Sequence, residues 1–137
     1  MLISELILRG SKTLKEKNIL THQLDSELIL SKLLSKSRES LLILDDVNIS
    51  KKRISQFTNF INRRGKNEPI AYILQYKDFW NDYFIVNSNT LIPRPETELL
   101  VEKIVKIFKN KSLNILDIGT GSGCIIISLL QELRTSK

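Results

Sequence analysis

Apolar residues recur at helical spacing through the first half of the chain and give way to shorter aromatic and β-branched runs in the second. Leu2, Ile3, Leu6 and Ile7 predict a first helix before Arg9-Gly10. A second is predicted from about Thr21, with Asp25 and Glu27 in its first turns, where negative charge suits the helix dipole. Its apolar stripe reads Leu24, Leu28, Leu30, Leu33 and Leu34, widened by Ile29. Arg38 to Leu44 gives a short third helix before Asp45-Asp46. Ser50 suits the N-cap of a fourth, with Ile54, Phe57, Phe60 and Ile61 on one face. No glycine falls between Gly10 and Gly65, and no proline before Pro69. The pattern predicts a small helical bundle, of marginal size but large enough to fold alone.

After Arg63-Arg64-Gly65 the character changes. Glu68 to Leu74 reads as a short helix with Pro69 in its first turn. Asp78-Phe79-Trp80 and Tyr83-Phe84-Ile85-Val86 flank Asn81-Asp82, which predicts a β-hairpin. Asn87-Ser88-Asn89 is a further turn. Leu91-Ile92-Pro93-Arg94-Pro95 must be extended, because a residue before proline avoids the helical region. Pro95 then opens a helix whose stripe is Leu100, Ile104, Val105 and Phe108. Leu113 to Ile118 reads as a buried parallel strand. A glycine turn follows, and then an apolar helix from Cys124 to Leu130 with a polar end at Gln131, Glu132 and Arg134.

Composition narrows the class. Apolar residues make up 42% of the 137 and charged residues 26%, ordinary for a soluble protein. No apolar run approaches the roughly eighteen residues of a membrane span, and the N-terminus lacks a signal-peptide layout. A single cysteine excludes an internal disulfide and fits a reducing cytoplasm. The net charge of +6 is uneven: residues 1–75 carry 13 basic and 8 acidic groups, residues 76–137 carry 8 and 7. Such an excess favours anionic surroundings such as RNA. Without interleaved aromatic residues it is read as lysine on solvated helix faces, with no specific nucleic acid expected.

The candidate chemistry lies in Asp117-Ile118-Gly119-Thr120-Gly121-Ser122-Gly123. Glycine lets the backbone take positive φ and lets a ligand approach closely. The helix behind it offers free N–H groups and a positive dipole end. A dinucleotide turn reads G-x-G-x-x-G, and Cys124 stands where its third glycine would be. The D-x-G-x-G-x-G spacing instead resembles motif I of class I S-adenosylmethionine-dependent methyltransferases, in which the loop holds the amino-acid part of the cofactor. A dinucleotide site and a bare structural turn are the alternatives, and for Asp117 a cap or turn-stabilising role. Cys124 is read as a small buried residue, Trp80 as core, and His22 as a polar residue near a helix start. No metal site is expected.

The segments before the turn make the resemblance specific. Arg63-Arg64 with Glu68-Pro69-Ile70-Ala71-Tyr72-Ile73, then Phe79-Trp80, then Leu91-Ile92-Pro93-Arg94-Pro95-Glu96-Thr97-Glu98, then the glycine turn, closely resemble the PrmC/HemK family of peptide chain release factor N(5)-glutamine methyltransferases. The resemblance implies an α + α/β chain. A helical substrate-recognition domain would span 1–75, a β-hairpin linker 76–93, and the first βα unit of a Rossmann-like methyltransferase domain 94–137. It implies S-adenosyl-L-methionine as cofactor, release factors as partners and a cytoplasmic setting. Asp117, Gly119, Thr120, Gly121, Ser122 and Gly123 match the cofactor loop. Arg94, Thr97 and Glu98 match a segment beside the substrate cleft, with an interdomain and helix-start role as the alternative. The family's Asn-Pro-Pro-Tyr motif, which holds the substrate amide, does not occur in these residues, so no catalytic residue is assigned. The expectation is a truncated domain: residues 112–137, short of packing partners, are poorly ordered, aggregation-prone or completed by another polypeptide, and the chain alone neither binds the cofactor nor transfers methyl. A non-catalytic release-factor-binding module, or the product of a disrupted gene, is the alternative. A DNA adenine methyltransferase is weaker, since it would not carry the hairpin and PRPxTE segments.

Overall fold

The computed structural model describes residues 2–43 and 48–133. Leu44, Asp45, Asp46 and Arg134, which the sequence reading assigned to helix ends, lie outside the described residues. Among the described residues the chain is mostly helical with one small antiparallel sheet, and it divides into two compact units, residues 1–74 and 75–137.

The described residues of the first unit form the helices α1 (Ile3–Glu16), α2 (His22–Leu34), α3 (Arg38–Ile43), α4 (Lys51–Gly65) and α5 (Ile70–Leu74). Helix α1 does not stop at Arg9-Gly10, as the sequence suggested, but runs through them. The reason is packing. A Cβ built on Gly10 would lie 2.6 Å from both Phe57 Cζ and Ser26 Oγ. Glycine therefore costs the helix some propensity but lets α2 and α4 close against α1. Ser26 uses that proximity to donate its hydroxyl to Ile7 O at 2.8 Å. The buried face of α2 also differs from the apolar stripe read from sequence. Asp25, Ser26, Ile29, Leu30 and Leu33 are buried, while Leu24 is 40% exposed. Helix α2 is apolar on most sides from Leu28 onward, so periodicity alone does not choose a face; hydrogen bonds to Asp25 and Ser26 do. The N-cap expected at Ser50 is present, its hydroxyl accepting the Arg53 N–H at 3.4 Å.

The buried Asp25 carboxylate accepts the Thr21 hydroxyl at 2.8 Å and Arg64 Nε at 2.6 Å. Arg64 Nη1 also donates to Glu68 O at 3.2 Å. Arg63 forms a two-point pair with Glu68, Nε to Oε2 at 2.8 Å and Nη2 to Oε1 at 2.5 Å. The Arg63 hydrogen bonds, and next its charge, hold the Glu68 carboxyl below the usual carboxylate range against the opposing effect of burial. The two arginines at the end of α4 thus fix the chain's path into Pro69, whose carbonyl accepts the Tyr72 and Ile73 N–H groups as α5 begins.

In the second unit β1 (Tyr76–Phe79) pairs antiparallel with β2 (Asp82–Ile85), with Tyr76 opposite Ile85 and Phe79 opposite Asp82. The hairpin is where the sequence put it, but its turn is Trp80-Asn81, one residue earlier than Asn81-Asp82. Trp80 adopts φ +57, costly for a bulky residue. It is held there by its backbone N–H, which donates to Glu98 Oε1 at 2.9 Å, and by its indole N–H, which donates to Glu132 Oε1 at 2.8 Å. A short 3-10 turn (Pro95–Thr97) leads into α6 (Glu98–Phe108). The buried stripe of α6 starts at Val101, 0% exposed, and continues through the half-buried Ile104, Val105 and Phe108; Leu100 is 46% exposed and outside it. Helix α7 (Cys124–Glu132) buries Cys124, Ser128 and Leu129.

Residues 113–118 carry no ladder, contrary to the expected strand. Their burial still alternates: Leu113, Ile115 and Asp117 are half-buried, and Leu116 and Ile118 are 83% and 87% exposed. That period of two is a strand's. A strand is defined by its neighbours, and among the described residues none lies alongside.

Candidate functional site

The site begins with the backbone of the glycine turn. Gly119, Gly121 and Gly123 take φ of +81, +58 and +79, a region L side chains rarely occupy. Gly123 is also closely packed: a Cβ there would lie 3.1 Å from Ile127 Cδ1. The turn is tied by Gly123 N–H to Thr120 O at 2.9 Å and by the Thr120 hydroxyl to Asp117 O at 3.1 Å. Gly123 caps α7 without a side chain, so the first-turn N–H groups of α7 have no intrahelical acceptor. They bring partial positive charge to the turn.

A groove of about 170 Å³ lies against this turn. Its lining draws on Leu91, Ile92, Pro93, Arg94 and Thr97 from one stretch and on Gly119, Thr120, Gly121, Ser122, Cys124 and Ile125 from another. Two stretches that sequence treated separately are thereby brought together, with Arg94 the charged member of the lining. Three candidates are not on the lining. Gly123 is buried behind the turn. Asp117 stands beside it, with Oδ2 buried and without a hydrogen-bond partner among the described residues. Glu98 instead accepts the Trp80 N–H, so it anchors the hairpin tip.

The far end of α7 takes part in that anchoring, which sequence reading missed. Glu132 Oε1 accepts Trp80 Nε1 and, at 3.0 Å, Asn81 Nδ2, while Gln131 Nε2 donates to Asp82 Oδ2 at 3.0 Å. The Gln131 hydrogen bond, followed by that from the Tyr83 N–H, holds the Asp82 carboxyl below its ordinary range. These contacts span about fifty residues of sequence and have no local signature. Trp80 is half-buried against the core of its unit, and Cys124 is buried at the start of α7. In the other unit His22 Nδ1 lies 2.8 Å from Ser11 Oγ, at the start of α2.

The turn offers N–H donors and the neighbouring Asp117 an acceptor. Together these suit a small ligand bearing both anionic and N–H groups. Among the described residues no group of three His, Cys, Asp or Glu side chains is placed to hold a metal ion, and no helix is long and apolar enough to cross a membrane.

Comparison with known proteins agrees on the family. The family model described as PrmC N-terminal domain matches residues 5–74. A release factor glutamine methyltransferase of Leptospira interrogans is 43% identical over 129 residues, covering 93% of this chain and 45% of the relative. Proteins of the same name from Buchnera aphidicola of Schizaphis graminum and from Coxiella burnetii are 44% and 42% identical, over 77% and 82% of this chain and 38% and 41% of their own lengths. The chain therefore spans less than half the length of these relatives.

Proposed function

The chain belongs to the PrmC N-terminal domain family, and from that premise we propose that it serves the cytoplasmic methylation of a glutamine side chain in peptide chain release factors, with S-adenosyl-L-methionine as methyl donor. In this reading residues 1–75 recognise the release factor, 76–93 form a linker, and 94–137 open the methyltransferase domain. Residues 113–118 and α7 are its first strand and helix, in the Rossmann-like manner. The observation that carries the proposal is the groove in which Arg94 and Thr97 face Gly119, Thr120, Gly121 and Ser122.

The residues present fit the cofactor. Left-handed glycines keep Cβ atoms out of the turn, and the buried, unpaired Asp117 Oδ2 is an acceptor in need of a donor. The turn's N–H groups and Asp117 would hold the amino-acid part. When bound, the cofactor supplies a methyl group on a positively charged sulfur. A glutamine amide nitrogen is a poor nucleophile because its lone pair is shared with the carbonyl, so the protein's task is positioning and electrostatics. Arg94 and Thr97 line the approach to the turn, and Glu98 acts at a distance, by fixing Trp80.

The reading is tested in a chimera in which these residues replace the matching part of the Leptospira relative. Labelled methyl should pass from S-adenosylmethionine to a purified release factor, and Gly121→Val should slow transfer about 100-fold, the scale of a misplaced reactant. A folded chimera that methylates no release factor would refute it.

A further inference from the structure

The bundle has a second surface whose chemistry is distinctive. Along the side shared by α1 and α4 run two adjoining cavities of about 160 and 270 Å³, which have Thr13, Ile61 and Asn62 in common. Three exposed cations line them: Arg9 at one end, Lys17 and Lys66 at the other. Arg9 lies on α1 and Lys17 is the residue that caps its C-terminal end, eight positions on, or about 12 Å along the helix axis. No carboxylate lines either cavity. Glu16, the nearest acidic residue in sequence, is on α1 but outside the lining. Arg38, Arg63 and Arg64 each pair with a carboxylate, whereas Arg9, Lys17 and Lys66 make no ion pair among the described residues.

We propose that this groove docks an acidic, extended polypeptide segment of a protein partner. Identifying that partner as a release factor rests on the function proposed above; the charge and groove do not. Two features favour polypeptide over nucleic acid. The aromatic ring at the groove, Phe57, is 2% exposed and so gives a base nothing to stack on. The hydroxyls of Thr13 and Thr58 are already donated to Arg9 O and Ile54 O. What they present is acceptor lone pairs, which suit the backbone N–H groups of an extended peptide.

The test is fluorescence anisotropy with the full chain and three probes: labelled poly-glutamate, oligouridylate and a purified release factor. Arg9→Glu/Lys17→Glu/Lys66→Glu should weaken poly-glutamate and release-factor binding roughly 10–100-fold. The control Lys51→Glu/Lys52→Glu/Arg53→Glu makes the same change in net charge and should cost less than about 3-fold. Circular dichroism checks folding, and the glutamine versions of the groove substitutions serve if the reversed ones unfold. Equal losses in groove and control variants would overturn the proposal, as would tighter binding of oligouridylate than of poly-glutamate. So would release-factor binding that ignores the groove substitutions. Groove-dependent poly-glutamate binding without any release-factor binding would uphold the groove and count against the proposed function alone.

Discussion

The two units handle apolar surface differently. Among the described residues of 1–74 twelve buried ones, from Ile3 to Ile73, form one cluster around Ile29 and Leu30, both 0% exposed. Among those of the second unit the cluster has six, while Leu91, Leu99, Ile107, Leu116 and Ile118 are each more than half exposed. The bundle exposes Leu8, Leu20 and Ile43 as well, so exposure alone does not separate the two; the size of the closed core does. A helix satisfies its own backbone and needs a partner for one face only. A strand in a parallel sheet needs neighbours at both edges and cover on both faces. The bundle therefore closes its core with partners found within residues 1–74, and a segment such as 113–118 finds no such neighbours among the described residues.

The comparison breaks hardest at Asp25. Arg64→Ala leaves that buried carboxylate with only the Thr21 hydroxyl, and the uncompensated charge should cost roughly 3–5 kcal/mol. Urea unfolding followed by far-ultraviolet circular dichroism measures this; a loss under about 1 kcal/mol would mean that the pair behaves as a surface salt bridge. Gly10→Val should come next. Its side chain would displace Phe57 and Ser26, an overpacking cost of about 1–3 kcal/mol in the same experiment.

Gly10 also shows what sequence could and could not reveal. As a glycine inside an apolar period it read as a helix end; only the position of Phe57, nearly fifty residues away, explains why α1 runs through it. The cap at Ser50, the end of α4 at Gly65 and the proline-led start before α6 were legible, because each depends on neighbours along the chain. So was the glycine turn. The face of α2 was not, because its apolar residues surround the helix and the choice rests on partners of Asp25 and Ser26. Of the candidate site, sequence named Arg94, Thr97 and Gly119 to Ser122 but could not show that they face one groove. For Glu98 it left open a place beside the cleft or an interdomain and helix-start role, and the hydrogen bond from the Trp80 N–H ties its carboxylate to the hairpin.

That hydrogen bond is one of the contacts that hold the hairpin tip. Glu98→Ala frees the N–H of a bulky residue in the left-handed region and should cost about 1–2 kcal/mol. Trp80 is the chain's single tryptophan, so its emission reports the change directly; an unaltered spectrum and midpoint would show that the turn holds itself. A smaller effect, with a pH signature, belongs to the bundle. Glu68→Gln should cost about 0.2–1 kcal/mol at neutral pH, as expected for a part-exposed pair. The folded-state pKa of Glu68 is lowered. Its contribution is therefore present above the ordinary carboxylate range and lost as pH falls through the lowered value. The gap between variant and parent should close in strong acid, and a gap independent of pH would assign the cost to packing.

The smallest effect sharpens the comparison most. Leu116→Thr and Ile118→Thr remove apolar groups that are 83% and 87% exposed, so each should change stability by less than about 0.5 kcal/mol. The same kind of change at Ile29, 0% exposed, should cost several times more, since it leaves both a cavity and a buried hydroxyl. If residues 113–118 are the first strand of a methyltransferase sheet, the contrast should vanish in the chimera with the Leptospira relative. There the face that carries Leu116 and Ile118 would be covered, and their replacement should become as costly as that of Ile29. Threonine tolerated at both positions in the chimera would count against a strand at 113–118 while leaving the bundle's assignment intact.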